Sequence, residues 1–104
     1  MEKAFKALSE TTRLELFLII NALPDICLCH IEDCFSLSIS NLSRHLKELD
    51  SAGLISSYKK GKWKYYKITE YGQLFVGFIN SIIEEPLKVK LELKIDLLKG
   101  ANQC

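Results

Sequence analysis

Nowhere in this sequence does an apolar run approach the roughly 20 residues needed to cross a bilayer. Met1–Glu10 also lacks the long apolar stretch of a secretory signal. A soluble, cytoplasmic protein with no membrane partner is expected. Equally missing are a Gly-rich phosphate loop, a pair of carboxylates spaced for acid–base work and any nucleophile–base arrangement, so an enzyme is not expected. There are no internal repeats and no low-complexity tract, and 104 residues suit one domain with a modest core, spanning 1–104. A large net charge is absent too. The total is only +1, which taken alone argues against nucleic acid. Its distribution argues the other way: residues 1–37 carry three basic and six acidic side chains, residues 38–67 seven and two, and residues 68–104 four and five. The positive charge is gathered in the middle of the chain.

That middle segment has two halves. In the first, Ile39, Leu42, Leu46 and Leu49 share one side of a 3.6-residue helix, while Ser40, Ser43, Arg44, Lys47 and Ser51 gather on the other, with Asn41 and Glu48 at an edge. An ordinary solvated face would carry more Glu–Lys pairs and fewer serines. Small hydroxyl donors let a helix lie close to a phosphate backbone, and Arg can read a guanine edge with two bonds. Gly53 stands where a left-handed residue would end the helix. In the second half, Ile55–Lys60 and Trp63–Ile68 are rich in Tyr, Trp and Ile and flank Gly61-Lys62, which suits a tight hairpin turn. Alternation puts Tyr66 and Ile68 on one face and Trp63, Tyr65 and Lys67 on the other. Lys59, Lys60, Lys62 and Lys64 crowd the tip, and phosphate contact explains four cations there better than solubility does. Trp63 and Tyr65 either flank a phosphate or pack on the sheet.

The flanks read as helices. Residues 2–8 place Ala4, Phe5 and Leu8 along one side. Ser9 is the expected N-cap of a second helix over Glu10–Ala22, apolar most of the way round and hence central. Ile26–Cys29 reads as extended, His30–Phe35 as a compact helical turn or two, and 36–38 as the turn into the polar-faced helix. Together these make a helix-turn-helix. Arg13 either reaches the DNA backbone or forms a surface salt bridge. Thr69 is positioned to cap a helix from Glu70, with Phe75, Phe78, Ile79, Ile82 and Ile83 as its apolar stripe. Pro86 must break or kink that helix. Leu87, Leu91, Ile95 and Leu98 then recur at helical spacing, and Gly100–Cys104 is expected to fray. The expected fold is mainly α (α+β): a winged helix-turn-helix of five to six helices and a two-stranded hairpin wing. Its core is 9–69, with helices 2–8 and 70–99 as dimerisation elements. A hydrophobic content of 48% leaves apolar surface for a second copy.

The stretches Leu8-Ser9-Glu10-Thr11-Thr12-Arg13-Leu14, Cys27-Leu28-Cys29, Ser43-Arg44-His45-Leu46, Ser51-Ala52-Gly53-Leu54-Ile55 and Lys60-Gly61-Lys62-Trp63, followed by Tyr66, resemble the arsenical-resistance (ArsR/SmtB) family of small winged-helix repressors over about residues 4–75. The resemblance implies a homodimer built from the first and last helices. It also implies binding to a double-stranded DNA operator, and release by an inducer such as As(III) or another thiophilic metal ion, with no cofactor required. DNA-contacting residues would be Ser38, Ser40, Asn41, Ser43, Arg44, His45 and Lys47 on the helix and Lys60 and Lys62 on the wing. His45 lies at the edge of the polar side, where a hydrogen bond within the fold is the other reading.

Cys27, Cys29 and Cys34 are the candidate inducer ligands. In an extended segment residues two apart point the same way, so the first two sulfurs can converge on one soft cation, with Cys34 or Cys104 as the third. Distortion there would strain the start of the helix-turn-helix. The alternative is that these are small buried apolar residues. Many arsenic sensors of the family carry a third cysteine where Glu32 stands here, and the residue after the pair is His30 rather than an acid. His30 is either a zinc ligand or a solvated histidine. With no His in 70–104, an interfacial zinc site on the last helix is not expected. Two other readings stay open: a winged-helix protein-interaction module, and a thiol redox sensor using the same cysteines.

Overall fold

The computed structural model describes residues 1–35 and 37–99, without the side chains of Cys34 and Leu98. The expectations placed on Ser36, on the Cys34 sulfur, on Leu98 and on Gly100–Cys104 lie outside the described residues. The elements are α1 (Glu2–Leu8), α2 (Thr11–Ala22), β1 (Ile26–Cys27), α3 (Leu28–Cys34), α4 (Ile39–Ser51), β2 (Ile55–Lys60), β3 (Trp63–Ile68), α5 (Glu70–Ile82) and α6 (Glu85–Lys99).

The apolar α2 is the centre, with Leu16, Phe17, Ile19 and Ile20 fully buried. It starts one residue later than expected, and its cap differs. Glu10 is the N-cap, its carboxylate accepting from the Thr12 and Arg13 amides at 3.2 and 3.1 Å, while Ser9 closes α1 by donating to the Lys6 carbonyl. A carboxylate at this position meets two orphan amides and the positive end of the helix dipole at once.

α4 turns its apolar side inward. Leu42, Leu46 and Leu49 are fully buried, and each such leucine contributes about 1.5–3 kcal/mol, which fixes the side that faces out. Ile39, expected on the same side, is exposed. It sits in the first helical turn, where side chains lean back toward the N-terminus and here overhang the core. The helix ends as its glycine suggests. Gly53 has φ 80°, its amide bonds the Asp50 carbonyl at 2.9 Å, and the Leu54 amide bonds the Leu49 carbonyl at 3.1 Å, a Schellman arrangement.

β2 and β3 pair from Ile55↔Ile68 to Lys60↔Trp63, leaving Gly61-Lys62 as the two-residue loop with Gly61 at φ 65°. The hairpin is not alone. β1 adds to its β3 edge, giving the antiparallel order β1-β3-β2 with Ile26↔Tyr66 and Cys27↔Tyr65. The extended stretch is therefore shorter than expected, because α3 begins at Leu28 with Cys27 as its cap residue and takes Cys29 into its first turn.

Thr69 joins the wing to α5. Its Oγ1 accepts from the Gly72 amide at 2.9 Å and donates to the Gly53 carbonyl at 2.6 Å. Gly72 is pressed against this corner, where an added Cβ would meet the Leu54 carbonyl oxygen at 2.3 Å and Ile68 Cγ2 at 2.9 Å. Backbone cannot yield as a side chain can, so Gly72→Ala is expected to lower unfolding free energy by at least about 1–3 kcal/mol, measured by urea titration. Pro86 does break the C-terminal region: α5 stops at Ile82, and Pro86 sits in the first turn of α6, where no amide is needed.

α6 is tied to the centre by charge. Glu15, 3% exposed, receives Lys94 Nζ on Oε2 at 2.9 Å; Lys90 Nζ lies 3.1 Å from Oε1 as an ion pair outside hydrogen-bond geometry. Lys94 also stands 4.0 Å over the Phe35 ring. Burial alone would raise the Glu15 carboxyl, but the two lysines outweigh it and hold it below its usual range. A lowered native pKa means stability present above the ordinary carboxylate range and lost as pH falls through it. Glu15→Gln is therefore expected to cost about 1–3 kcal/mol at pH 7 and to flatten the decline in melting temperature between pH 5 and 3.

Candidate nucleic-acid interface

The exposed side of α4 is built as its sequence pattern indicates. Ser38, Ser40, Ser43, Arg44 and Lys47 are exposed, and Asn41 is half-buried. Two of these have local duties. Ser38 caps the helix, Oγ accepting from the Asn41 amide at 3.2 Å, and Arg44 Nη2 donates to Asn41 Oδ1 at 3.1 Å. That bond uses one of five guanidinium donors and leaves the others pointing to solvent chemistry.

His45 is placed differently. It is half-buried, with Nδ1 3.4 Å from Arg13 Nη1 and 3.7 Å from Glu10 Oε2, the latter an ion pair when the ring is protonated. Arg13 is also turned inward, its Nε donating to the Ala7 carbonyl at 2.8 Å. His45 thus joins α4 to the start of α2, the within-fold reading of this residue, and Arg13 serves that joint rather than a surface salt bridge. Burial would raise the Glu10 carboxyl; the Thr12 and Arg13 amides and the charges of His45 and Arg13 overcome this and hold it low.

On the wing, Lys59, Lys60, Lys62 and Lys64 are all exposed around the tip. Lys62 lies 5.1 Å over the Trp63 ring and Lys64 5.7 Å over Tyr66, so aromatic faces steady two of the cations. Tyr58 and Tyr65 stack at 5.4 Å with planes 20° apart, Lys67 stands 6.0 Å over Tyr58, and the Tyr58 hydroxyl donates to Asp25 Oδ1 at 2.9 Å. Donation to a carboxylate favours the neutral phenol and raises its pKa. Lys67 and the Asp25–Tyr58 pair belong to this surface, yet only a three-stranded sheet brings Asp25 near residue 58, and no local pattern signals it.

The cysteines converge although they are not both extended. Cys27, buried in β1, is a free thiol; Cys29, in the first turn of α3, is disulfide-bonded, and its sulfur lies 2.8 Å from that of Cys27, beyond the roughly 2.05 Å of a bond between the two. Among the described residues no three His, Cys, Asp or Glu side chains gather as a metal site, and the Cys34 sulfur, the expected third ligand, is outside the description. Among the described residues no helix is long and apolar enough to cross a membrane.

A three-stranded sheet with a protruding hairpin, set behind a two-helix turn whose second helix shows a basic, serine-rich side, defines a winged helix-turn-helix protein. No family model matches the chain. It is 38% identical over 69 residues to the arsenical resistance operon repressor of Bacillus subtilis, covering 66% of each chain. It is 31% identical over 84 residues to the cadmium resistance regulatory protein CadC of Listeria innocua, covering 76% of this chain and 71% of that one. Among solved structures, the transcriptional regulator HlyU of Vibrio vulnificus superimposes with a TM-score of 0.66 at 23% identity over 79% of this chain and 85% of that one. The chain belongs to the ArsR (arsenical-resistance) family of transcriptional regulators, a non-enzymatic family. The matched segment spans only 50% and 57% of two further arsenic-resistance regulators, from Pseudomonas putida and Escherichia coli.

Proposed function

We propose that two copies of this chain grip a DNA operator and let go when a thiophilic metal or metalloid binds at Cys27 and Cys29. The observation that carries the reading is α4 itself. Its leucines are sealed in the core, and its serine, arginine and lysine side is left open immediately before a lysine-tipped hairpin. Such a helix fits a major groove, with Ser40, Asn41, Ser43, Arg44 and Lys47 toward the bases and phosphates, Ser38 ordering the first turn and His45 setting the angle of the helix. Lys60 and Lys62 take the neighbouring backbone.

Pairing is supported by apolar surface. Tyr71, Leu74, Phe78 and Ile82 form an exposed stripe on α5; with Phe5 of α1, Phe78 and Ile82 border a groove of about 390 Å³, and Tyr71, Leu74 and Phe78 border another of about 250 Å³. Stripes of this kind on a small protein mark an association surface.

For release, the cysteine sulfurs supply the chemistry. Once an added thiol reductant has opened the Cys29 disulfide, giving it electrons and a proton, arsenite can react: each thiol proton leaves with one hydroxyl as water while a sulfur–arsenic bond forms, and arsenic stays trivalent. The relatives are regulators of arsenical and of cadmium resistance, which favours a soft ion. Mobility shifts of the reduced protein on genomic fragments, with arsenite, cadmium and zinc titrated in, test the proposal. Specific shifts reversed by arsenite or cadmium are expected, and persistence in the Cys27→Ser, Cys29→Ser double variant. Uniform binding to every fragment, or no binding, would contradict it.

A further inference from the structure

We propose that the cleft between α2, α6 and the chain entering α4 is a binding site for a small aromatic carboxylate, held by Lys90 and Lys94. Among the described residues no cysteine lines this cleft, so the site stands apart from the thiol chemistry of release.

Three observations converge. The first is room. The cleft has a volume of about 410 Å³, bounded by Thr11 and Thr12 of α2, Phe35, Leu37, and the Glu15–Lys90–Lys94 cluster. A cavity of about 150 Å³ already takes benzene, so a ring with a polar group fits here.

The second is a pair of cations held in place. Glu15, the buried member of the lining, draws Lys94 Nζ to Oε2 at 2.9 Å and Lys90 Nζ to 3.1 Å from Oε1. Two ammonium groups against one carboxylate leave a single positive charge, which one ligand carboxylate neutralises. Among the described residues Lys94 gives one hydrogen bond, to Glu15, and Lys90 gives none. An ammonium has three donors, so both lysines keep donors for the two oxygens of a carboxylate. Their ordering by Glu15 before any ligand arrives lowers the entropy lost on binding.

The third is an apolar wall beside those cations. Lys94 Nζ stands 4.0 Å over the Phe35 ring, and Leu37 lines the same cleft. A carboxylate bound at Lys94 therefore sets its body against Phe35 and Leu37, where an aromatic ring packs well. Inorganic phosphate has no body to meet that wall. Phe35 closes α3 and Leu37 lies two residues before α4, so the ligand joins the last helix to the chain that enters the basic helix.

Isothermal titration calorimetry of the full chain with sodium benzoate and sodium phenylacetate tests the site. Benzamide serves as the uncharged analogue and inorganic phosphate as the ringless anion. At least one carboxylate is expected to bind saturably at one per chain, with benzamide and phosphate about ten-fold or more weaker. Lys90 is 57% exposed and Lys94 still ties α6 to Glu15 without it, so Lys90→Gln should keep the fold, checked by circular dichroism, and weaken that carboxylate about ten-fold. Lys88→Gln, the same charge change on α6 beside a different cleft, should leave its affinity unaltered. No saturable binding of either carboxylate would overturn the proposal. Benzamide or phosphate binding as tightly as the carboxylate, or equal affinity in Lys90→Gln and wild type, would overturn it too.

Discussion

Arg44→Ala is expected to weaken operator binding by about 1–3 kcal/mol, roughly ten- to hundred-fold, and to narrow the gap between the operator and single-base variants of it. Arg44 is exposed in the middle of α4, and its hydrogen bond to Asn41 Oδ1 at 3.1 Å steadies the guanidinium fork without consuming it. A fork held this way arrives oriented for two bonds to a guanine edge. Lys62→Ala should behave differently. Its ammonium stands 5.1 Å over Trp63 at the tip of a hairpin, a place to meet phosphate rather than a base. It should weaken all sequences alike and lower the slope of log K against log salt by about 1. Fluorescence anisotropy on a set of operator variants at stepped salt separates the two. Equal loss on every sequence for Arg44→Ala would remove its base-reading role.

The second large effect concerns association. Phe78→Asp with Ile82→Asp is expected to yield a folded single subunit whose operator affinity falls at least 100-fold, because one half-site contact replaces two joined ones. Both side chains are exposed in the isolated subunit, at 53% and 60%, so their change removes no core packing. The buried members of the same helix, Phe75, Val76 and Ile79, stay in place to hold it on the fold. Sedimentation velocity with circular dichroism checks size and folding together. A double variant that still sediments as a dimer would place the interface elsewhere, the exposed Val89, Leu93 and Leu97 of α6 being the next candidate.

How much of this is legible in the sequence depends on distance along the chain. The α4 face, the Schellman glycine, the hairpin register and the Thr69 cap are local, and each rests on periodicity or on one residue's backbone preference. Ile39 apart, which is exposed, they stand in the structure where the pattern puts them. Local reasoning falters where two chemistries compete over a few residues. Ser9 and Glu10 both can cap, and the carboxylate prevails because it meets two amides and a dipole. Cys29 reads as extended beside apolar neighbours, yet the helix starts at Leu28, and the two sulfurs still meet because a strand end and a helix start bend toward each other. What the sequence does not show is long-range. Glu15 finds Lys94 across 79 residues, and Tyr58 finds Asp25 across 33. His45 reads as an edge residue open to DNA or to the fold, and only the folded chain sets Arg13 and Glu10 against it. Such pairs depend on how helices and strands stack, and no spacing encodes them.

On this reading the open side of α4 and the lysine tip of the hairpin form one DNA-binding surface. Hydrogen–deuterium exchange on the reduced protein, with and without operator duplex, tests it most directly. Slowed exchange is expected in peptides covering 38–47 and 58–64, reversed on adding arsenite, with α2 unchanged at its core. Protection confined to α1, α5 or α6, with 38–47 exchanging as freely as in the unbound protein, would contradict it.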